Sequence, residues 1–344
     1  MSRRIAVGVL GATGTVGQKL VRLLAGHPWF EVRRLMASER SVGKPYGRVV
    51  HWLEPEPLPP DLAAMPVEPA EPGGCALVLS ALDAAAARSI EPRFTAAGCA
   101  VVSNASAHRL DPVVPLVVPE VNPDHLQLLR RQPWSGSLVT NPNCVVAGLA
   151  LVLKPLQDAF GVEAVELTTL QAASGAGFPG VAALDILGNV IPGIANEEQK
   201  IASEPCKILG SLADGRVIEA PIVISVQTTR VPIVDGHLLS MSVRLGRRTT
   251  PARVAAALQR FHAPEHVRAL PSAPPAPLAL LTHELAPQPR LHVGLGAGMT
   301  VSIGQIRPCP LLDVRLVALV HNTIRGAAGA ALLNAELMVR EGVV

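Results

Sequence analysis

The apolar positions in the first part of the chain form short runs separated by helical patterns. In the intervening segments, apolar residues recur every three to four positions, the period of an amphipathic helix. Runs of strand length that alternate with helices predict βα units and a parallel sheet covered on both faces. The strands predicted in this way are Ile5–Leu10, Val32–Met36, Ala76–Ala81 and Ala100–Val102.

The pattern changes after the middle of the chain. Val162–Gln171, Val217–Ile224 and His237–Leu245 alternate between apolar and polar residues, which is typical of strands with one face on a core. We therefore expect a second domain with a mostly antiparallel sheet. The chain closes with a predicted strand, Val314–Val320, and a small-residue helix that ends near Arg340 and should pack against the first domain.

A glycine-rich turn, GATGTVG, follows the first predicted strand and opens a helical pattern. Strand, glycine turn and helix form the context of a dinucleotide-binding fingerprint, here spaced GxxGxxG. Glycine permits a tight turn, and the helix N-terminus can receive a phosphate. An ordinary βα turn is the alternative. The residues expected to contact the cofactor here are Gly11, Thr13, Gly14, Thr15 and Val16.

A polar segment follows the second strand, where this fold meets the adenosine ribose. Arginine at this position suits the 2′-phosphate of NADP, whereas an acidic residue selects NAD. Ser38, Arg40, Ser41 and Lys44 make a phosphate-binding cluster, although Glu39 lies among them. We interpret the segment as NADP-selective, against the alternative of a solvated loop.

Cys144 lies where a polar, turn-forming run changes to an apolar one, TNPNC followed by VVAGLALVLK. Pro142 biases the residue before it away from helix, and Asn143 is a good helix N-cap. We therefore place Cys144 in the first turn of a helix that ends near Pro155. The unpaired N–H groups and helix dipole there favour a thiolate and could stabilise an oxyanion. A buried structural cysteine is an equally good interpretation of this stretch alone.

Further polar groups could serve nucleophilic acyl chemistry. Arg109 ends a polar segment after the fourth strand, although a surface loop is the simpler interpretation. Glu197 and Lys200 share one face at the start of a helix. Arg230 and His237 flank an Asp-Gly turn. A cysteine with one histidine, an arginine and a glutamate suffices for such chemistry, but a lone histidine is more often structural.

Composition narrows the protein's class. The length of 344 residues favours two domains, and 49% hydrophobic residues provide ample core. A net charge of +3 with 3% aromatic residues provides no platform for nucleic acid, and no apolar run reaches membrane-span length. The five cysteines are far apart without a CxxC pair, which argues against disulfides and metal and favours the cytoplasm.

Taken together, these segments resemble aspartate-β-semialdehyde dehydrogenase, in particular its archaeal and fungal branch. The resemblance covers nearly the whole chain. Its motifs are GATGTVGQ, ASERSVGKPY, SNASAHR, VPEVN, NPNC, QAASGAGFPG, RVPIVDGH and HNTIRGAAGAALLNAEL.

The resemblance implies a Rossmann-type NADP-binding domain, residues 1–143 and 321–344. It also implies an α+β catalytic and dimerisation domain, residues 144–320, with a largely antiparallel sheet. The family reduces L-aspartyl-4-phosphate with NADPH, which gives L-aspartate 4-semialdehyde and phosphate. A homodimer or homotetramer without nucleic-acid or membrane partners is expected.

The resemblance also assigns roles to individual residues. Cys144 would be the nucleophile, with a lowered thiol pKa, and His237 the general acid/base, with a pKa near 6.5. Gln171 would orient the acyl-enzyme, and the loop containing Ser174 and Gly175 would contact the cofactor. The substrate ligands would be Arg230 for the α-carboxylate, Glu197 for the ammonium, and Arg109, Lys200 and Asn143 for the phosphate.

The chain departs from the family pattern in three places. Val145 follows the cysteine where the family has a hydroxyl residue, and Thr228-Thr229 replaces Cys-Asn. In a late loop His292 replaces aspartate and Ala297 replaces an asparagine near the nicotinamide. These changes leave open a paralogue acting on another acyl phosphate or acyl-CoA, such as malonyl-CoA. A non-catalytic nucleotide-binding paralogue is a further alternative.

Overall fold

The computed structural model describes residues 4–344 and contains two main sheets. In this part of the chain, the first sheet has six parallel strands in the order β3-β2-β1-β4-β5-β6. That order is the doubly wound arrangement whose ligands bind at the carboxyl ends of the strands. The strands are β1 (Ile5–Leu10), β2 (Phe30–Met36), β3 (Val67–Glu68), β4 (Leu77–Ser80), β5 (Ala100–Ser103) and β6 (Ser137–Thr140).

The second sheet is mixed and mostly antiparallel, as expected. Its order within the described residues is β13-β14-β15-β12-β7-β11-β8, and only the β13–β14 and β7–β11 pairs are parallel. Its strands are β7 (Val162–Gln171), β8 (Ile191–Pro192), β11 (Val223–Arg230), β12 (His237–Leu245), β13 (Leu278–Leu280), β14 (Val301–Pro308) and β15 (Val314–Val320). A separate hairpin joins β9 (Ser211–Ala213) and β10 (Arg216–Ile218).

The single strand predicted over Val217–Ile224 is wrong. The chain leaves the hairpin after Ile218 and enters the second sheet only at Val223. The alternation does not reveal this break, because Glu219 and Ala220 continue the sequence of polar and apolar residues. Pro221 lacks the backbone N–H that a strand needs for pairing, and it is the signal of the break.

Helices cover both sheets. α5 (Cys144–Phe160) runs past Pro155, where we expected it to end. Most of α5 is buried against the second sheet, so packing outweighs the hydrogen bond that proline removes. The other helices are α1 (Thr15–Leu24), α2 (Tyr46–Val49), α3 (Pro60–Ala64), α4 (Ala84–Ala96), α6 (Ala183–Ile186), α7 (Glu197–Ile208), α8 (Pro251–Gln259), α9 (Glu265–Arg268), α10 (Pro289–His292) and α11 (Gly329–Arg340).

The final helix returns to the first sheet, as expected. A π-helical turn, Ile324–Ala328, leads into α11, which contacts α1, β4 and β5. α9 also contributes Val267 to the core of the first sheet, although it lies within the predicted second domain. Across residues 4–344, no helix is both long enough and apolar enough to span a bilayer.

Candidate active site

Cys144 is the first residue of α5, as the sequence predicts. Asn143 caps the helix, and its side-chain oxygen accepts a hydrogen bond from Val145 N at 2.9 Å. Gly326 in the π-helical turn lies against the cysteine, and a β-carbon there would stand 2.6 Å from Cys144 Cβ. This close approach requires glycine, so the C-terminal segment forms one wall of the site.

His237 is the first residue of β12, and its Nε2 lies 3.3 Å from Cys144 Sγ. Its other ring nitrogen, Nδ1, accepts a hydrogen bond from Ala172 N at 3.0 Å. Because Nδ1 is an acceptor, the proton of the neutral ring lies on Nε2 and points to sulfur. The ring is therefore arranged to donate a hydrogen bond to Cys144.

The expected lowered pKa of the Cys144 thiol and the expected pKa near 6.5 of His237 are wrong. Burial raises the pKa of the Cys144 thiol to about 12, and the Glu197 carboxylate adds to this rise, while Arg109 and Arg230 oppose it. Burial, with a contribution from Arg230, lowers the pKa of His237 to about 3. The prediction from sequence considered only the helix N-terminus, which favours a thiolate and lowers the pKa. Desolvation by burial raises the pKa and is the larger effect.

Arg230 ends β11 beside the end of β7, because the parallel register pairs Arg230 with Gln171. The Arg230 Nη1 donates to Ala172 O at 2.7 Å. Gly175 closes over the guanidinium, and a β-carbon there would lie 2.9 Å from Nη1. Gln171 is buried near this site and donates to Thr169 Oγ1 at 3.3 Å.

Helix α7 brings the expected ammonium ligand beside the cysteine. Glu197 Oε2 accepts from Asn143 Nδ2 at 2.7 Å, and Glu197 Oε1 pairs with Lys200 Nζ at 3.0 Å. The carboxylate is therefore held between the N-cap residue of α5 and a lysine. Both charged side chains remain partly exposed, so a small ligand can reach them.

Arg109 is buried, in contrast to the surface loop that the sequence favoured on its own. Its guanidinium pairs with Glu204 at 2.9 Å and donates to Asn104 O at 2.7 Å. Sequence reasoning missed Glu204 and the neighbouring Lys207. The sequence did contain a signal for them: the ExxK spacing of Glu197 and Lys200 recurs seven residues later, on the same helix, as Glu204 and Lys207.

Ser174 connects the loop that follows Gln171 to the turn before His237. Its hydroxyl donates to Asp235 Oδ1 at 2.8 Å and accepts from Asn322 Nδ2 at 2.8 Å. Asn322 Oδ1 in turn accepts from Gly236 N at 2.9 Å. Asp235 and Asn322 also escaped sequence reasoning, because their roles depend on contacts between distant segments.

The glycine turn has the tight geometry that is typical of dinucleotide-binding turns. Gly11 has φ +72°, and a β-carbon on Gly17 would lie 2.2 Å from Gly11 O. The first glycine therefore permits the turn and the last permits close contact between helix and strand. Within the described residues, Thr15 Oγ1 at the start of α1 is buried without a hydrogen-bond partner. These features fit a phosphate-bearing cofactor at this helix terminus.

The other cofactor-side segments are exposed. Ser38 is exposed before the 3₁₀ turn Glu39–Ser41, in which Glu39 and Arg40 are exposed and Ser41 is half-buried. In the late loop, Ala297 is exposed and has the left-handed backbone φ +54°, ψ +33°. This conformation suits the asparagine that the family resemblance implies better than alanine.

Comparisons with known proteins identify the family of the chain. Residues 6–129 match the family model "Semialdehyde dehydrogenase, NAD binding domain", and residues 153–325 match "Semialdehyde dehydrogenase, dimerisation domain". The chain is 44% identical to an aspartate-semialdehyde dehydrogenase of Archaeoglobus fulgidus, over 99% of this chain and 100% of the relative. The chain belongs to the aspartate-semialdehyde dehydrogenase family.

Further members of that family extend the match. The Cryptococcus neoformans enzyme is also 44% identical, over 99% of this chain and 98% of the relative. A crystal structure of the Candida albicans aspartate-semialdehyde dehydrogenase with NADP is 39% identical and has a TM-score of 0.92, with 99% and 100% of the two chains covered. Family membership confirms the predicted fold class and the dehydrogenase assignment.

Proposed function

We propose that the protein reduces L-aspartyl-4-phosphate to L-aspartate 4-semialdehyde with NADPH, through a thioester on Cys144. The observation that carries this proposal is the 3.3 Å contact between Cys144 Sγ and His237 Nε2 at a helix N-terminus. A nucleophile with an adjacent imidazole is the arrangement needed for acyl transfer. Family membership supports the same reaction.

The glycine turn and the Ser38–Ser41 turn are proposed to hold NADP. Gly11, Thr13, Gly14, Thr15 and Val16 would surround the pyrophosphate, and Arg40 would face the 2′-phosphate with Ser38 and Ser41. Ser174 and Gly175 would contact the nicotinamide end. When bound, NADPH supplies a hydride to the thioester carbonyl.

The protein's own groups serve the acyl steps. Cys144 attacks the acyl carbon as its thiol proton passes to the departing phosphate. A C–S bond forms, and the C–O bond to phosphate breaks. His237 stabilises negative charge on sulfur and then on the carbonyl oxygen by donating from Nε2. We propose this donor role in place of a full proton shuttle, since an imidazolium would direct Nδ1–H at the Ala172 N–H. Gln171 would orient the carbonyl, and C–S cleavage after reduction frees the aldehyde and the thiolate.

The charges around the cysteine fit an amino-acid substrate. Arg230 would bind the α-carboxylate and Glu197 the ammonium, while Arg109, Lys200 and Asn143 would hold the phosphate. Malonyl-CoA, the alternative substrate, has a carboxylate for Arg230 but no cation for Glu197. Glu197 contacts Asn143, the residue before Cys144, and this contact supports the amino acid as the better match.

A reverse assay tests this proposal. L-aspartate 4-semialdehyde, phosphate and either NADP or NAD are supplied, and the reduced cofactor is followed by absorbance. We expect phosphate-dependent reduction that is faster with NADP. Absence of phosphate-dependent reduction with both cofactors, from folded protein, would contradict the proposal and direct screening to other acyl phosphates and to malonyl-CoA.

We also propose that residues 1–143 and 321–344 form the NADP-binding domain. Residues 144–320 would form the catalytic and dimerisation domain. Assembly as a homodimer or homotetramer is proposed through the second domain, which matches a dimerisation-domain model. Exposed apolar side chains on that domain, including Leu184 and Leu187, support an interface there. The scattered cysteines support a cytoplasmic location.

A further inference from the structure

The charged residues of α7 form one stripe with an outer and an inner pair. Glu197, Lys200, Glu204 and Lys207 are spaced three, four and three residues apart, which keeps them on one side of an α-helix. The outer pair is partly exposed, and its Glu197 accepts a hydrogen bond from Asn143, the residue before Cys144. The inner pair is almost fully buried, with 1% of Glu204 and 4% of Lys207 exposed. Buried charges are costly unless they are paired, so the inner pair needs a structural or catalytic explanation.

Glu204 joins two parts of the site that are distant in sequence. Its Oε1 accepts from Arg109 Nη1 at 2.9 Å, and its Oε2 accepts from Asn143 N at 2.6 Å. Asn143 is the residue directly before the nucleophile. One carboxylate therefore fixes the distance between the guanidinium of Arg109 and the first turn of α5.

Lys207 fixes the backbone of the same arginine. Its ammonium donates to Arg109 O, Asp111 O and Val114 O, each at 2.8 Å. These three contacts use every donor of the lysine. The loop that carries Arg109 is thus held at its backbone by Lys207 and at its side chain by Glu204.

We propose that Glu204 and Lys207 are positioning residues that act through Arg109. They hold its guanidinium on the carboxylate that also binds the backbone of Asn143, next to Cys144, where its positive charge favours the thiolate and can receive the phosphate of the substrate. The phosphate part of this inference rests on the proposed function, whereas the effect on the thiol does not. Neither residue needs to touch the substrate.

A double-mutant cycle tests this inference. Glu204→Gln keeps an oxygen for Asn143 N, but its amide cannot serve both donors, so Arg109 loses its charged partner. We measure the rate of Cys144 alkylation by iodoacetamide and the KM for phosphate in the reverse assay for Glu204→Gln, Arg109→Ala and the double variant. Glu198→Gln is the matched control, because that carboxylate lies on α7 but contacts Thr228.

We expect Glu204→Gln to slow alkylation and to raise the KM for phosphate about tenfold, since a charge-assisted hydrogen bond is worth roughly 1.5 kcal/mol or more. The double variant should then match Arg109→Ala alone, because the effect passes through Arg109. Additive losses in the double variant would overturn the proposal. If Glu204→Gln does not fold, Glu204→Asp replaces it in the same cycle. Aspartate keeps the charge, but its shorter side chain moves the carboxylate away from Arg109.

The alkylation readout separates the two hypotheses. If wild-type protein lacks phosphate-dependent turnover, the proposed function fails, yet the cycle on Cys144 alkylation still decides whether Glu204 acts through Arg109. Lys207→Met should also slow alkylation and raise the KM for phosphate, because the backbone that carries Arg109 loses three hydrogen bonds. Unchanged alkylation in both Glu204→Gln and Lys207→Met, with intact fold, would contradict the inference.

Discussion

The proposed substrate side and the proposed cofactor side of the active site are built differently. On the substrate side, Arg109, Glu204 and Arg230 are buried and already bound to protein groups. On the cofactor side, Arg40 and Ala297 are exposed on short turns. The substrate side holds charges in place before a ligand arrives, which lowers the reorganisation needed in the reaction. The cofactor side relies on backbone shape and solvated side chains.

This difference implies different sensitivities to substitution. A buried charge that loses its partner costs several kcal/mol, whereas exposed ion pairs and loop residues contribute about 1 kcal/mol or less. Substitutions on the substrate side should therefore affect turnover strongly. Those on the cofactor side should change affinity or stability by small amounts.

The largest effect is expected from Cys144→Ala. Removal of the nucleophile should reduce turnover below detection while binding of NADPH, followed by fluorescence titration, stays close to that of wild type. Cys309→Ala is the control, because that cysteine lies after β14, outside the site. Retained turnover in Cys144→Ala would contradict covalent catalysis, and loss of NADPH binding would show a wider structural disturbance.

Arg230→Lys comes next. Lysine keeps a charge but loses the fork that binds a carboxylate through two parallel bonds. We expect kcat/KM for the semialdehyde to fall about ten- to hundredfold, from the loss of a charged hydrogen bond worth about 1.5–3 kcal/mol. Arg244→Lys on the exposed face of β12 should behave as wild type. Equal efficiencies for Arg230→Lys and wild type would refute the α-carboxylate assignment.

Glu197→Gln should lower the catalytic efficiency and raise the reactivity of the Cys144 thiol. Loss of the ammonium ligand lowers kcat/KM about 30-fold, because an unpaired charge costs about 2 kcal/mol or more. The thiol should become more reactive, since the Glu197 carboxylate raises the pKa of Cys144. We expect about three- to tenfold faster alkylation by iodoacetamide at pH 8. Slower alkylation would contradict the electrostatic account, and Glu198→Gln controls for effects on α7.

The same raised pKa fixes the pH dependence of the thiol. A thiol with a pKa near 12 is protonated throughout the neutral range. Alkylation of the wild-type protein should therefore rise about tenfold per pH unit from pH 7 to 9 without a plateau. A plateau below pH 8 would show a low thiol pKa and contradict dominant desolvation. The folded state also loses stability as the pH rises above 9, because the unfolded thiol ionises first.

The smallest effect is expected at Ala297. Left-handed backbone costs a non-glycine residue about 1 kcal/mol, and asparagine tolerates it better than alanine. Ala297→Asn should raise the free energy of unfolding by about 0.5 kcal/mol, measured by urea denaturation. Ala297→Val is the opposite control, since a β-branched side chain fits this backbone poorly. Destabilisation by Ala297→Asn would contradict the assignment of strain to this position.

Much of this architecture follows from local sequence. The Asn143 cap is encoded within a few residues, so α5 begins where the sequence predicts, and α1 begins at Thr15, inside the GATGTVG motif. The end of α5 was wrong because burial on the second sheet carries the helix through Pro155. Glu204 and Asn322 were missed because each gains its role from partners far away in the chain. The pKa shift of Cys144 depends on burial, which residue spacing does not reveal.

The account depends most directly on a thioester at Cys144. Protein incubated with L-aspartate 4-semialdehyde and NADP, without phosphate, is examined by absorbance and by mass spectrometry of its peptides. We predict a rapid formation of NADPH close to one equivalent per chain, with one aspartyl group on the peptide that contains Cys144. Addition of phosphate should release that group. Absence of both the rapid phase and the adduct, or an adduct on another residue, would contradict the central claim.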